Sequence, residues 1–213
     1  MNKKFLMSLI TSTILVSACA PTSQSSSQAK NLPTDTLIEA ETLAERGQPN
    51  AALDMLMPHS NSINGNTELT IGYIYDSSLN DIPTAIEWYK KSAQKGNAVA
   101  QHNLGNIYYR MHDDSKAYDY YEESAKQGYA SAITQLGVMH YKGHYVSRNY
   151  VKAANYFQQA SDKGDNRADY FLAICYLESH GVAQNYQKAK ELLQKSAKAG
   201  NRDALNKLSE LGW

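Results

Sequence analysis

The chain has 213 residues, enough for one or two ordinary domains, and its 21 Lys+Arg are balanced by 21 Asp+Glu. A formal net charge of zero argues against a general nucleic-acid-binding protein, which normally carries a basic surplus, and 42% hydrophobic residues argue against a wholly disordered chain. Two cysteines are too few for a disulfide-rich secreted scaffold. Tyrosine is unusually common, with 16 Tyr against 3 Phe and 2 Trp.

Residues 1–18 have the three parts of a secretory signal. Lys3 and Lys4 form a short basic segment, an apolar run follows over 5–16, and Ser17 and Ala18 are small residues at the exit. The apolar run is shorter than the roughly 20 residues that a membrane-spanning helix needs. The sequence therefore predicts a cleaved signal, with a permanent N-terminal anchor as the alternative.

The string Val16-Ser17-Ala18-Cys19 resembles the lipobox of bacterial lipoproteins. That resemblance implies cleavage before Cys19 and acylation of its thiol and new amino group, which makes Cys19 the lipidation site. The alternative is an ordinary signal that happens to end near a cysteine. Ala20 is not the aspartate that retains many enterobacterial lipoproteins in the inner membrane, so the resemblance favours the outer membrane.

Residues 19–35 follow as a lipidated cysteine and a tether. The segment is polar and rich in serine, a composition typical of a flexible linker. A coil of this length spans on the order of 20 Å. We expect it to hold a folded domain off the membrane.

The rest of the chain repeats itself. Gly96, Gly128, Gly164 and Gly200 are 32, 36 and 36 residues apart, and each follows a helix-like segment whose first alanine lies 11 residues earlier. After each of the first three glycines comes a second helical stripe with spacing i, i+4, i+8. Its members are Ala100, Leu104 and Tyr108; Ala132, Leu136 and His140; and Ala168, Leu172 and Tyr176.

A small residue follows the leucine of this stripe each time, as Gly105, Gly137 and Ala173. Glycine inside a helix costs roughly 1 kcal/mol relative to alanine, so its recurrence indicates a close packing contact. The turn between the two helices is about four residues longer in the last two units.

These anchors resemble the Sel1-like repeat family, a relative of the tetratricopeptide repeats. The matching residues are Leu104-Gly105 with Tyr108, Trp88-Tyr89 with Ser92-Ala93 and Gly96, Gly181-Val182 with Asn185, and Lys188-Ala189. The resemblance implies an all-α fold, an α/α solenoid of stacked antiparallel helix pairs. An irregular helical bundle is the alternative, but it gives no reason for the recurring 11-residue interval.

The resemblance also divides the solenoid, residues 36–213, into units. We expect a degenerate first unit at 36–64, four repeats at 65–95, 96–127, 128–163 and 164–199, and a C-terminal cap at 200–213. Terminal units of solenoids are normally atypical because one of their faces has no neighbour.

No catalytic motif is present: the sequence has no phosphate-binding loop, dinucleotide fingerprint, zinc-protease motif or nucleophile elbow. We therefore predict a protein that is not an enzyme and that uses no cofactor or metal. His140 is expected to pack between helices, and His144 and His180 occupy matching turns where a structural role is expected. Cys175 lies in an apolar helix and is expected to be a small buried side chain, with an intermolecular disulfide or a reactive thiol as the alternative.

A second stripe on the first helix of each repeat is the candidate binding surface. It takes offsets −3, +1 and +4 from the mid-helix small residue, and in related repeats this stripe faces the concave groove. The candidate partner-groove residues are Tyr73, Asp76, His102, Asn106, Tyr109, Thr134, Tyr141 and Tyr170. Tyrosine is enriched at interfaces, but each ring could equally pack against a neighbouring repeat.

Together these features predict a non-enzymatic scaffold. It would be anchored by lipid to the bacterial outer membrane, would face the periplasm, and would present its groove to an envelope or periplasmic protein. Residues 19–141 carry 8 basic and 14 acidic side chains, whereas residues 142–213 carry 11 and 7, so a partner with an acidic surface is expected. The alternative is a cell-wall glycan-binding protein or an envelope enzyme acting on peptidoglycan.

Overall fold

The computed structural model describes residues 30–213. The predicted signal, the lipobox with Cys19 and most of the tether lie outside the described residues. None of the helices in 30–213 is long and apolar enough to cross a membrane.

Residues 30–213 fold into helices joined by short connections, with no strand among them. The helices are α1 (Thr34–Glu45), α2 (Pro49–Leu56), α3 (Asn66–Ser77), α4 (Ile82–Gln94), α5 (Ala98–Arg110), α6 (Asp114–Lys126), α7 (Ala130–Lys142), α8 (Tyr150–Asp162), α9 (Asn166–Glu178), α10 (Tyr186–Lys198) and α11 (Arg202–Glu210), with a 3-10 turn at Met57–His59 after α2. Each helix contacts the next one along the chain, so the fold is the expected all-α solenoid of stacked helix pairs. We call the odd-numbered helices A helices and the even-numbered ones B helices.

The recurring glycines mark where one repeat stops and the next starts. Gly96 and Gly164 have φ of 81° and 88°, a left-handed conformation that ends the B helix without steric cost. The next residue then caps the following A helix: Asn97 Oδ1 accepts from the backbone N–H groups of Val99 and Ala100. Because the stop and the start are adjacent in sequence, the turn between repeats has a nearly fixed length.

The mid-helix small residues let the two helices of a pair approach closely. Gly72, Gly105 and Gly137 each lie under an aromatic ring of the following B helix. A Cβ added to Gly105 would lie 2.5 Å from ring carbons of Tyr121, and one added to Gly137 would lie 2.6 Å from Phe157. The packing role predicted for Gly105 and Gly137 is therefore confirmed, and Gly72 has the same role.

A buried serine on the B helix ties the two helices of three pairs together. Ser92, Ser124 and Ser196 donate from Oγ to backbone carbonyls at the start of their A helices, with Oγ to O distances of 2.7, 2.7 and 2.5 Å. Alanine takes this position in α8, as Ala160. These bonds fix the register in which α4, α6 and α10 cross their A helices.

The segment that enters the first unit is held to the loop before α3. Asn31 Oδ1 accepts from the backbone N–H groups of Ile63 and Asn64, at 3.0 and 3.1 Å. The residues just before α1 and the loop after α2 are therefore hydrogen-bonded to each other.

Candidate functional site

Three consecutive A helices form the walls of an open cleft. The cleft has a volume of about 390 Å³. It is lined by polar side chains from α3, α5 and α7: Asp76, Asn103, Asn106, Tyr109, Arg110 and Gln135. The row of A helices therefore presents a polar surface that crosses three repeats, and we call these six residues the A-helix groove.

Hydrogen bonds and an ion pair hold the groove side chains in place. Asn106 Oδ1 accepts from the hydroxyl of Tyr121 at 2.8 Å and from Nε2 of Gln135 at 3.2 Å. Arg110 and Asp76 form an ion pair with a nitrogen to oxygen distance of 3.0 Å. Burial raises the pKa of Tyr121 far above the physiological range, so its phenol remains a hydrogen-bond donor to the amide.

A second cleft lies on the N-terminal side of the same helix row. It has a volume of about 480 Å³ and is lined by Ala44, Glu45, Gly47, Pro49, Tyr73, Ser77 and Ser78. Its Tyr73 side chain is 36% exposed, so the ring is available for contact. Both clefts have a wall on α3, where Tyr73 and Asp76 lie one helical turn apart.

The structure brings part of the predicted stripe together. Asp76, Asn106 and Tyr109 line the A-helix groove, and Tyr73 lines the neighbouring cleft. Tyr141 and Tyr170 are half-buried and line neither cleft.

Two predicted groove residues are corrected by the structure. His102 is 8% exposed and lies 5.9 Å from the ring of Tyr121 and 5.1 Å from that of Tyr129. Thr134 is fully buried, and its hydroxyl donates to Asp165 at 2.9 Å. The offset −3 therefore faces the residue that starts the next A helix, and these two side chains are not part of an open surface.

The groove residues that the sequence did not single out follow a shifted pattern. Asn103 and Gln135 lie two residues before the small residue, and Arg110 lies five after Gly105. Offsets −2, +1 and +5 lie on one side of the helix, and this side overlaps the predicted stripe through the shared offset +1 and extends beyond it. The polar amides that recur at offset −2 were the available signal.

The long turns of the last two repeats reach back to the preceding A helix. Nδ1 of His144 lies 3.0 Å from the hydroxyl of Tyr109, and Nδ1 of His180 lies 2.9 Å from that of Tyr141. The structural role expected for these two histidines is thus confirmed. It also shows that the hydroxyls of Tyr109 and Tyr141 are engaged between repeats.

The Tyr141 contact is the more elaborate of the two. Its hydroxyl also donates to Glu178 at 2.9 Å, and the ring of His180 stacks on Tyr150 with centroids 4.0 Å apart. Burial, followed by the neighbouring Glu178, raises the pKa of Tyr141. This tyrosine therefore serves the junction of two repeats.

The remaining side chains that could react or bind a metal, Cys175 and His140, are buried. Cys175 has no exposed surface and forms no disulfide, and burial raises the pKa of its thiol to about 12, so the expected buried role is confirmed. His140 is buried and stacks on Tyr156 with centroids 5.5 Å apart, which confirms its packing role. Across residues 30–213, no group of three or more His, Cys, Asp or Glu side chains is placed to hold a metal ion.

Solved structures with the same fold come from several bacteria. A Sel1 repeat protein from Oxalobacter formigenes superposes with a TM-score of 0.73 at 22% identity, over 83% of this chain and 77% of that one. The Escherichia coli protein c5321, described as a protective antigen present in uropathogenic strains, gives 0.66 at 23% identity, over 83% of this chain but only 42% of its own length. A putative Sel1 repeat protein from Klebsiella pneumoniae gives 0.53 at 17% identity, over 84% and 92%.

No curated protein matches the chain significantly. The Sel1 repeat, in contrast, matches four consecutive segments, residues 71–97, 98–129, 130–165 and 166–201. Sel1 repeat proteins generally mediate protein–protein interactions and are typically non-enzymatic scaffolds. Since the four segments cover more than half of the sequence and coincide with successive helix pairs, the chain belongs to the Sel1 repeat family.

Proposed function

We propose that this protein is a non-enzymatic scaffold that binds a segment of an envelope or periplasmic protein along its A-helix groove. The observation that carries the proposal is the cleft of about 390 Å³ on three consecutive A helices. Its polar side chains are pre-positioned, so binding orders few additional groups and loses little conformational entropy.

The chemistry of the groove suits a polypeptide. Asn103 and Gln135 are half-buried amides, and a side-chain amide offers both a donor and an acceptor, as a peptide backbone does. The ion pair of Arg110 and Asp76 supplies both charges at the same cleft. Tyr73 adds an exposed aromatic ring in the neighbouring cleft, the kind of side chain that dominates interface energetics.

The proposal includes a lipid anchor at Cys19 in the outer membrane, with the solenoid facing the periplasm. Its support is the lipobox-like string Val16–Cys19 and the polar tether that follows it. A tether that spans on the order of 20 Å confines the groove to a thin layer beside the membrane. Confinement raises the effective concentration of the scaffold for any partner in the same layer.

Charge supports the choice of partner. Residues 142–213 carry 11 basic and 7 acidic side chains, a net charge of +4. Electrostatic complementarity with an acidic surface would speed association and orient the partner on the C-terminal repeats. We therefore expect capture to weaken when the salt concentration is raised.

The test compares groove variants with a surface control in the full-length protein. Arg110→Glu breaks the ion pair to Asp76 and changes the net charge of the groove residues from zero to −2, and Gln135→Trp fills the cleft. Lys91→Glu makes an equal charge change at an exposed position on α4, outside the groove. After crosslinking in cells, partners recovered with each variant are quantified by mass spectrometry.

We expect a partner that is recovered with the unaltered protein and with Lys91→Glu, but at least about tenfold less with either groove variant, equivalent to about 1.4 kcal/mol. The double variant Arg110→Glu with Asp76→Arg re-forms the ion pair in reverse and checks that a loss is not caused by unfolding. Identical recovery with all variants would refute the groove. Binding to purified cell-wall sacculi without any protein partner would favour the glycan-binding alternative.

A further inference from the structure

The last helix exposes apolar side chains at positions that are buried in the earlier A helices. Leu205 lies four positions after the N-cap residue of α11, Asn201. Ile133 in α7 and Asp169 in α9 lie at the same position after their N-cap residues and are 4% and 1% exposed. Leu205, in contrast, is 52% exposed. Leu211 lies ten positions after Asn201, the position that Ile107, Met139 and Cys175 take after the N-cap residues of α5, α7 and α9. It is 38% exposed, whereas these three are at most 1% exposed.

An exposed apolar face at this position is unusual for a solenoid. Terminal units normally carry a polar outer face, because an uncovered repeat core binds other chains. The helix α11 packs against α10, but Leu205 and the C-cap residue Leu211 keep uncovered surface within residues 30–213. Burying two such leucines in a contact would remove their apolar surface from water and stabilise the contact.

The opposite end of the solenoid offers a complementary surface. The first helix, α1, exposes Ile38, with 55% of its surface accessible. The same helix carries Asp35, Glu39, Glu41 and Glu45, of which all but the half-buried Glu41 are exposed. The helix α1 is therefore an amphipathic segment with one uncovered apolar side chain in an acidic setting.

The two ends carry opposite charge. Residues 30–65 have two basic and five acidic side chains, a net charge of −3. Residues 186–213, which comprise α10 and α11, have six basic and three acidic side chains, a net charge of +3. A symmetric contact between two copies of α11 would place like charges together, whereas a contact between α11 and α1 pairs opposite charges.

We propose that a second copy of this chain docks end to end, with the α11 surface around Leu205 and Leu211 against the α1 surface around Ile38. The contact is heterologous, since each copy contributes a different face, and both faces stay available on the outer copies. It therefore propagates into short linear arrays. The A-helix groove takes no part in it, so loss of this contact and loss of groove binding are distinguished by different variants.

Two complementary variants test the polarity of the contact. Leu205→Glu blocks the α11 end and leaves the α1 end intact, and Ile38→Lys does the reverse. Met111→Glu is the matched control, because Met111 is 57% exposed and belongs to neither end. The full-length proteins, solubilised in mild detergent, are measured by size-exclusion chromatography with light scattering over a wide range of concentration and at low and high salt.

We expect the unaltered protein and Met111→Glu to form dimers and larger species that dissociate at high salt. Each end variant alone is expected to be monomeric, and an equal mixture of the two is expected to form a dimer and nothing larger. The helical circular dichroism signal and the melting temperature confirm that the variants fold. A monomeric unaltered protein, association that ignores the variants, or dimers of Ile38→Lys alone would each overturn the proposal, the last in favour of a symmetric α11 contact.

Discussion

His102 shows how a single buried side chain makes this fold sensitive to pH. Burial lowers the pKa of His102 from 6.5 to about 4. The unfolded chain therefore binds a proton at this site between about pH 6.5 and pH 4, where the folded chain does not. The stability that neutral His102 contributes is complete above pH 6.5 and is lost as the pH falls through this window.

We predict that His102→Gln reduces the loss of stability on acidification. Between neutral pH and about pH 4.5, the unaltered protein should lose on the order of 2 kcal/mol more unfolding free energy than the variant. Urea unfolding at the two pH values measures this difference. His59→Gln is the control, since His59 is exposed, and it should follow the unaltered protein. Equal losses in His102→Gln and the unaltered protein would show that this histidine does not report on folding.

At the scale of elements, the junction between the third and fourth repeats rests on Tyr141. Its hydroxyl has two partners, His180 and Glu178, whereas that of Tyr109 at the preceding junction has one, His144. A net hydrogen bond contributes about 1 kcal/mol, and a partner left without one adds to the loss. The long turns thus link A helices that are otherwise joined mainly through B helices.

We predict that Tyr141→Phe lowers the free energy of unfolding by about 1–2 kcal/mol and that Tyr109→Phe lowers it by less. The phenyl ring preserves the packing, so the change reports on the hydroxyl alone. Tyr186→Phe serves as the control, since Tyr186 is 58% exposed, and should change stability little. Denaturant titrations compare the three variants, and an equal effect of Tyr141→Phe and Tyr186→Phe would contradict the junction.

The element scale also shows where sequence reasoning succeeds and where it stops. The helix pairs and the close contact at Gly105 and Gly137 were predictable, because local stop signals and a costly mid-helix glycine leave a periodic trace. The contact between Tyr141 and His180 joins residues 39 apart, and no local pattern records it. The groove stripe was predicted only in part, because the side of α5 that meets α7 depends on how repeats stack. Asn103, Arg110 and Gln135 were missed.

On the scale of the whole molecule, the chain offers a clean test of the proposed anchor. Its two cysteines are Cys19, in the lipobox-like string, and Cys175, which is fully buried. We predict that Cys19→Ser abolishes labelling by a palmitate analogue and releases the protein from the membrane fraction, because a single site carries all the acyl chains. Cys175→Ser should keep both properties, and labelling that persists in Cys19→Ser would refute acylation at that residue.

The bonds of Asn31 to Ile63 and Asn64 decide how mechanical load enters the solenoid. A force on the N-terminal segment acts on these two hydrogen bonds before it acts on α1. The force is therefore transmitted directly to the loop that precedes α3. The first helix pair, α1 and α2, therefore does not carry this force until both hydrogen bonds of Asn31 break. If the protein is tethered through Cys19, the force exerted by a partner bound in the groove acts first on the hydrogen bonds of Asn31, and the repeats stay folded.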